Sequence, residues 1–379
     1  MTNRLMAYNW QQKNWPNFVY SLNEIEEKLQ VFLEKTGFIS GILTALPADM
    51  QMDAVVEMMV AEAIKTSAIE GEFLNRGDVM SSIRNNLGLN VTLEPVVDKR
   101  AQGIGLLMID VRQTYAQPLS AEKLFEWHTL LLGADKRVKV GAWRDHAEPM
   151  QVISGALGKQ KIHFEAPPSA VVPQYMAEFT DWFNDTAPGG KRPIKAAPLR
   201  CAIAHLYFES IHPFEDGNGR IGRAIAEKAL SQGMGRPALL SLSRTIEFNK
   251  SDYYHALENA QQASDITAWI NYFIDVILAA QQDAEEQIKF VLKKTRFFDR
   301  YKATLTDRQL RVVKRMLEEC PAGFEGGINA RKYGSLTKIS KATATRDLQD
   351  MLQKGVILPM AAGGRSTRYE LNLWYEEGL

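Results

Sequence analysis

Residues 211–223 read IHPFEDGNGRIGR, a short run crowded with side chains that a hydrophobic core does not need. His212 can accept a proton near neutral pH. Asp216 can hold a hard cation such as Mg²⁺ that bridges phosphates. Gly217 and Gly219, flanking Asn218, allow positive φ, so successive backbone N–H groups can open into one concavity suited to an anion. Arg220 and Arg223 stand at i and i+3, and a helix projects both guanidinium groups from one face, where they can hold several phosphate oxygens. Base, metal ligand, anion nest and two arginines add up to transfer of a nucleotidyl or phosphoryl group onto a hydroxyl. Each part alone has a plainer reading: Gly-Asn-Gly is commonly a turn or helix stop, and a lone histidine is commonly structural. The ordered combination is what argues for chemistry.

These groups need rigid elements on both sides. Ahead of them, APLRCAIAHLYFESI starts with Pro198 in a position suited to a first helical turn and stays largely apolar to Ile211. Pro213 disfavours helical backbone for the residue before it, which predicts that the helix ends at His212 and leaves the imidazole facing a loop. RIGRAIAEKAL predicts the next helix, whose N-terminus also favours an anion. Helical patterns cover residues 97–116, 120–132, 169–185, 198–211, 220–232, 251–262 and 265–293. Upstream, Ile25, Leu29 and Phe32 mark one helix. Val55, Met58, Met59, Ala63 and Ile64 form the core stripe of another, with Gly71 as its stop signal. MQVIS and KIHFE, around a glycine-containing turn, predict a β-hairpin. After residue 290, three short helices and the runs VILPM and RYELNL predict a winged helix-turn-helix.

Other chemistries find no support. GALGKQK lacks the spacing and the hydroxyl of a phosphate-binding P-loop, and His205 and His212 are too far apart for a zinc-peptidase pair. No acid-His-Ser grouping is evident. Cys201 and Cys320 are distant from each other and read as buried thiols, not a disulfide or zinc site. The 379 residues are 45% hydrophobic and 24% charged, enough for two or three globular domains. No apolar run is long enough for a membrane span and the N-terminus lacks a leader pattern, so a cytoplasmic protein is expected. Net charge is zero, yet residues 291–379 carry 17 Lys+Arg against 10 Asp+Glu, and that basic tail could meet an acidic partner.

HPFEDGNGRIGR resembles the signature of the Fic family, H-x-F-x-[DE]-G-N-G-R-x-x-R, through His212, Phe214, Asp216, Gly217, Asn218, Gly219, Arg220 and Arg223. The resemblance implies a mainly α fold: a Fic helical core with a β-hairpin flap, plus a C-terminal winged helix-turn-helix domain. The expected divisions are an N-terminal helical cap at 1–95, a catalytic core at 96–290 and the winged helix at 291–379. The implied activity is transfer of AMP from ATP, with Mg²⁺, to a Tyr, Thr or Ser hydroxyl of a protein target, with release of pyrophosphate. In that reading His212 is the base, Asp216 holds Mg²⁺, and the N–H groups of 217–219 with Asn218 cradle the α- and β-phosphates. Arg220 serves the triphosphate and Arg223 the γ-phosphate, while Phe214 anchors the loop. The hairpin near 150–164 is the flap that aligns the target, and Tyr253 and Tyr254 are adenine-packing candidates, with core packing the equal alternative. TSAIEG, Thr66 to Gly71, fits the family's inhibitory pattern, which places Glu70 on Arg223. Two other readings stay open: removal of AMP from a modified protein with Glu70 positioning water, and a DNA-binding regulator with a sensory core. Self-modification, DNA or protein contact through the winged helix, and a homodimer also stay open; no membrane role is expected.

Overall fold

A computed structural model of the chain describes residues 7–23, 25–133, 135, 137–154, 161–318, 324, 326–360 and 367–373. Among them are fourteen α-helices and two two-stranded sheets, the mainly α fold expected. No described helix is long and apolar enough to cross a membrane. The chain forms two compact units, one of Met1–Ile39 with Val55–Ala284 and one of Ser40–Ala54 with Glu285–Leu379.

The first unit holds most of α1 (Glu26–Ala45) and α2 (Ala48–Ile69), then α3 (Arg76–Asn86), α4 (Lys99–Gln113), α5 (Ala121–Leu132), β1 (Gln151–Ser154), β2 (Lys161–Glu165) and α6 (Val172–Asp185). It continues with α7 (Ala197–Ile211), α8 (Asn218–Met234), α9 (Leu242–Phe248), α10 (Lys250–Ala260) and the first half of α11 (Thr267–Tyr301). Helix α7 is buried along its whole length, which is why its sequence shows little polar face. Its one fully buried arginine is satisfied by neighbours: Arg200 donates to the Phe183 carbonyl at 2.6 Å, Thr186 Oγ1 at 3.1 Å and the Ala229 carbonyl at 3.2 Å. On α2, Val55, Met58, Met59 and Ala63 are buried as the stripe predicts, and Ile64 is half-buried.

The first unit takes in parts of the expected cap, residues 1–95, and of the expected core, from residue 96. In the structure the N-terminal segment is stitched to that core: Asn9 N–H donates to the Gln261 carbonyl, Trp10 Nε1 to Glu165 O, and Val19 bridges Asp265. Two helices escaped the periodicity. In α3 only Val79, Met80 and Ile83 are apolar, and its start depends on Asn75 Oδ1 accepting the Asp78 N–H. With seven residues, α9 is too short to show a period.

The second unit contains α12 (Asp307–Glu318), α13 (Ala330–Thr337), α14 (Lys341–Gln353), β3 (Ile357–Pro359) and β4 (Tyr369–Leu371). Strands β3 and β4 pair antiparallel, and Val312, Val313, Met316, Tyr333, Leu348, Met351 and Ile357 belong to a separate hydrophobic core. Three helices followed by a two-stranded sheet is the element order anticipated for this region. Cys320 and residues 361–366 of its sheet connection lie outside the described residues, whereas Cys201 is a buried free thiol.

Candidate active site

The loop between α7 and α8 carries the motif. His212 caps α7 in the left-handed region, at φ 50° and ψ 60°, unusual backbone for a residue with a β-carbon. Buried Arg144 supports this turn: its guanidinium donates to the carbonyls of His212 at 2.8 Å, Pro167 at 2.6 Å and Ile211 at 3.3 Å, and to Ser169 Oγ at 2.9 Å. A cation at a helix C-terminus also complements the helix dipole. Burial lowers the Arg144 pKa to about 10, which still leaves it charged at neutral pH.

Beneath the loop, His128 Nδ1 accepts the Gly141 N–H at 3.0 Å, so Nε2 carries the proton and donates to the Asp216 carbonyl at 3.1 Å. Burial keeps His128 below its ordinary pKa and therefore neutral. Its ring stacks on Phe214 at 4.1 Å, and Phe214 is fully buried, an anchor as the sequence suggested. Asn218 lines the cavity described below, and its side chain is already engaged within the loop. Its Oδ1 accepts the Phe214 N–H at 2.9 Å and its Nδ2 donates to the Phe214 carbonyl at 2.8 Å, so the amide closes the loop.

The nest is shifted by one residue. Gly217, at φ +82°, donates its N–H to Asp216 Oδ1, and the first helical bond of α8 runs from Ile221 N–H to the Gly217 carbonyl. The N–H groups without an intrahelical acceptor are thus those of Asn218, Gly219 and Arg220, not 217–219. Among the described residues no cluster of three potential metal-binding side chains occurs. Asp216 nevertheless fits Mg²⁺, which binds through one or two carboxylates plus phosphate oxygens and water: its side chain is half exposed and lines the cavity.

Both arginines are buried and engaged. Arg223 Nε donates to Thr66 Oγ1 at 2.8 Å, and Nη2 to the Thr66 carbonyl at 2.9 Å and Glu70 Oε1 at 2.8 Å. Arg220 Nη1 donates to Glu72 Oε2 at 2.8 Å, with Asp216 Oδ1 at 3.4 Å. The end of α2 explains why two acids arrive together. Gly71 N–H bonds the Ala68 carbonyl and Glu72 N–H bonds the Ser67 carbonyl, a Schellman stop with Gly71 left-handed at φ +82°. Glu70 and Glu72 lie on either side of that glycine, and both side chains reach α8. A Cβ on Gly219 would collide with Glu70 Oε1, so the carboxylate lies against the nest.

A cavity of about 570 Å³ joins these parts, within the range of small-molecule sites, and its lining includes Glu70, His212, Asp216, Gly217, Gly219 and Arg223. Tyr253 and Tyr254 also line it. Tyr253 is buried with its hydroxyl bonded to His205 Nε2 at 2.8 Å, a core role, whereas Tyr254 is partly exposed and its hydroxyl lies 3.5 Å from the Ile69 carbonyl. Lys250 Nζ donates to the same carbonyl, holding the end of α2. The expected hairpin borders the cavity. Val152 pairs with Phe164 and Ile153 with Ile162, so His163 is an extra, bulged residue, and its ring meets Glu258 of α10 at 3.0 Å. The turn of the hairpin, 155–160, lies outside the described residues.

Arg144, His128 and Glu72 were not singled out from the sequence. Arg144 and His128 sit about 70 and 90 positions from the groups they hold, with no local signal; Glu72 adjoins TSAIEG, but its role appears only once the Schellman turn is drawn.

This helical core, its bordering hairpin and its HPFEDGNGRIGR loop are similar to those of Fic proteins. Residues 118–230 match the Fic/DOC family, and residues 8–89 match a domain of unknown function (DUF4172). A protein adenylyltransferase, fic-1, of Caenorhabditis briggsae is 24% identical over 268 residues, covering 68% of this chain and 47% of that protein. The chain thus spans about half the length of this curated relative. A Fic family protein from Desulfovibrio desulfuricans G20 shares the fold at a TM-score of 0.51 and 21% identity, covering 91% of this chain and 96% of that one. A Fic domain containing signaling protein from Bacteroides thetaiotaomicron VPI-5482 does so at a TM-score of 0.52 and 19% identity, covering 69% and 97%.

Proposed function

We propose that the protein transfers AMP from ATP to a hydroxyl side chain of a protein target, and that Glu70 holds it idle. The observation that carries this reading is Arg223, buried at 1% exposure and bonded to Glu70 beside the unclaimed N–H groups of α8, in a cavity that His212 also lines. The acceptor oxygen bonds to the α-phosphorus, the bond from that phosphorus to the α,β-bridging oxygen breaks, and pyrophosphate leaves. The hydroxyl proton passes to His212. Asp216 would hold Mg²⁺, which when bound neutralises phosphate charge. The N–H groups of 218–220 and the helix N-terminus receive phosphate oxygens. Arg223 receives the γ-phosphate once Glu70 has withdrawn, and Arg220 joins it once Glu72 lets go. The hairpin edge offers backbone groups to an extended target segment.

The reading also takes the C-terminal unit as a winged helix-turn-helix, on the strength of its element order and the exposed Arg331, Lys341 and Arg346 on α13 and α14. The deciding test of transfer follows label from α-³²P-ATP with Mg²⁺ into protein, in the purified chain and in a cell lysate. Strong label with Glu70→Gly, and none when His212→Ala is added, is expected. Absence of label from a folded Glu70→Gly protein under both conditions would sink the transfer reading. If Glu70→Gly instead abolishes release of AMP from a modified protein, Glu70 serves AMP removal.

A further inference from the structure

Transfer uses one nitrogen of His212, and the other is the more informative. Nδ1 of His212 is buried and has no hydrogen-bond partner, and the nearest carboxylate oxygen is Oε2 of Glu209 at 3.6 Å. Glu209 lies three residues earlier on α7, only 3% exposed, and its Oε1 is likewise buried without a partner. A Cβ on Gly222 would collide with that oxygen, so α8 passes directly over the carboxylate. A buried acid so placed is costly, and an unsatisfied one calls for a reason.

The surroundings lower its pKa. Burial alone would push the Glu209 carboxyl up, but the His212 ring, His205 and Arg223 outweigh it and hold it below the ordinary value. The charged and titratable groups around the pair are His205 on the same helix, Arg223 from α8, Tyr253 from α10 and Glu70 from the end of α2. None of these offers Nδ1 a closer recorded oxygen than Glu209.

We infer that Glu209 is a positioning residue for His212: it takes the Nδ1 proton in a hydrogen bond, which leaves Nε2 unprotonated toward the acceptor hydroxyl. This inference rests on the transfer reading. The contact need close by only a few tenths of an ångström to become a hydrogen bond, and catalytic contacts commonly tighten when substrate is in place. During transfer the hydroxyl proton binds Nε2 while the Nδ1 proton stays on the ring, so the imidazolium that forms faces a carboxylate. No further proton donor or acceptor is required.

The experiment has two arms. In the first, the His212 ring is titrated by NMR in the nucleotide-free protein, its signal assigned by loss in His212→Ala. Glu209→Gln removes the facing charge, so the midpoint should fall by about one pH unit or more, whereas Glu209→Asp should keep it near wild type. In the second arm, the substitutions are placed in the Glu70→Gly background. Glu209→Gln should lower kcat roughly a hundredfold, with KM for ATP little changed and the acidic limb of the pH profile moved down; Glu209→Asp should retain most of the rate. An unmoved His212 midpoint in folded Glu209→Gln, or a kcat equal to that of its parent, overturns the inference. Should Glu209→Gln not fold, a folded Glu209→Asp with a lost rate and a displaced midpoint overturns it as well. If the Glu70→Gly parent transfers nothing, the transfer reading fails while the titration still decides what Glu209 does.

Discussion

At the scale of single residues, Arg220 and Arg223 each meet a carboxylate from one turn, so freeing one leaves the other engaged. Glu72→Gln added to Glu70→Gly should lower KM for ATP by roughly two- to tenfold and leave kcat nearly unchanged, since exchanging the charge-assisted bond for a neutral one removes about 1 kcal/mol of competition with phosphate. An unchanged KM would show that Arg220 does not meet the nucleotide. Asn218→Ala removes both bonds to the Phe214 backbone and should cost about 1–3 kcal/mol of stability by denaturant titration, in addition to transfer activity. What the letters revealed at this scale was the chemistry-bearing set, because its members are adjacent and their spacing is their geometry. They did not reveal which polar atoms are already spent. The Asn218 amide and the Gly217 N–H look available in sequence and are consumed within the loop.

Among the elements, the legible ones were those whose own pattern suffices. The α2 stripe, α7 up to the proline and the flap strands follow from burial of one face, chain stiffness at Pro213 and alternation. Helix α3 depends on an asparagine cap and on packing against α4, and α9 on Ser243, whose N–H and hydroxyl both donate to the buried Glu62 of α2. Those supports come from elsewhere in the chain and leave no periodic trace. The flap shows the same limit: its two strands were readable, but the bulge that turns His163 toward Glu258 was not. Glu258 binds both His163 and Lys161, and Glu258→Gln should loosen β2 from α10. Faster amide exchange over residues 161–165, with little change in α7, is the expected signature.

Over the whole molecule, stability should depend on pH through a carboxyl one turn beyond Arg223 on α8. Glu227 of α8 is half-buried beside Glu62, and desolvation first, then that neighbour, raises its pKa to about 8, against partial relief from Arg112. A carboxyl whose folded pKa exceeds its unfolded value of 4.5 supports the fold fully below the latter, and that support is lost as pH rises toward about 8. Glu227→Gln should therefore raise Tm relative to wild type at pH 8 and give no gain near pH 4.5; equal Tm differences at both values would refute this. The C-terminal unit invites a separate measurement: if its exposed cations contact nucleic-acid phosphates, affinity for duplex DNA should fall steeply with salt, and a flat response would assign that face another partner.

The contact between Glu70 and Arg223, proposed above as a restraint, has a thermodynamic side as well. With nothing bound, Glu70 is the counter-ion of a guanidinium that has almost no access to water. Its removal leaves the two Thr66 contacts, and the lost charge-assisted bond should cost about 1.5–3 kcal/mol. Glu70→Gly should then melt a few degrees below wild type when empty, and saturating ATP should raise its Tm more than it raises that of wild type, as calorimetry can show. On the proposed reading, a form freed by loss of Glu70 would thus be a fragile one that leans on bound nucleotide for its fold, and substitutions that free Arg223 would also tend to reduce its abundance.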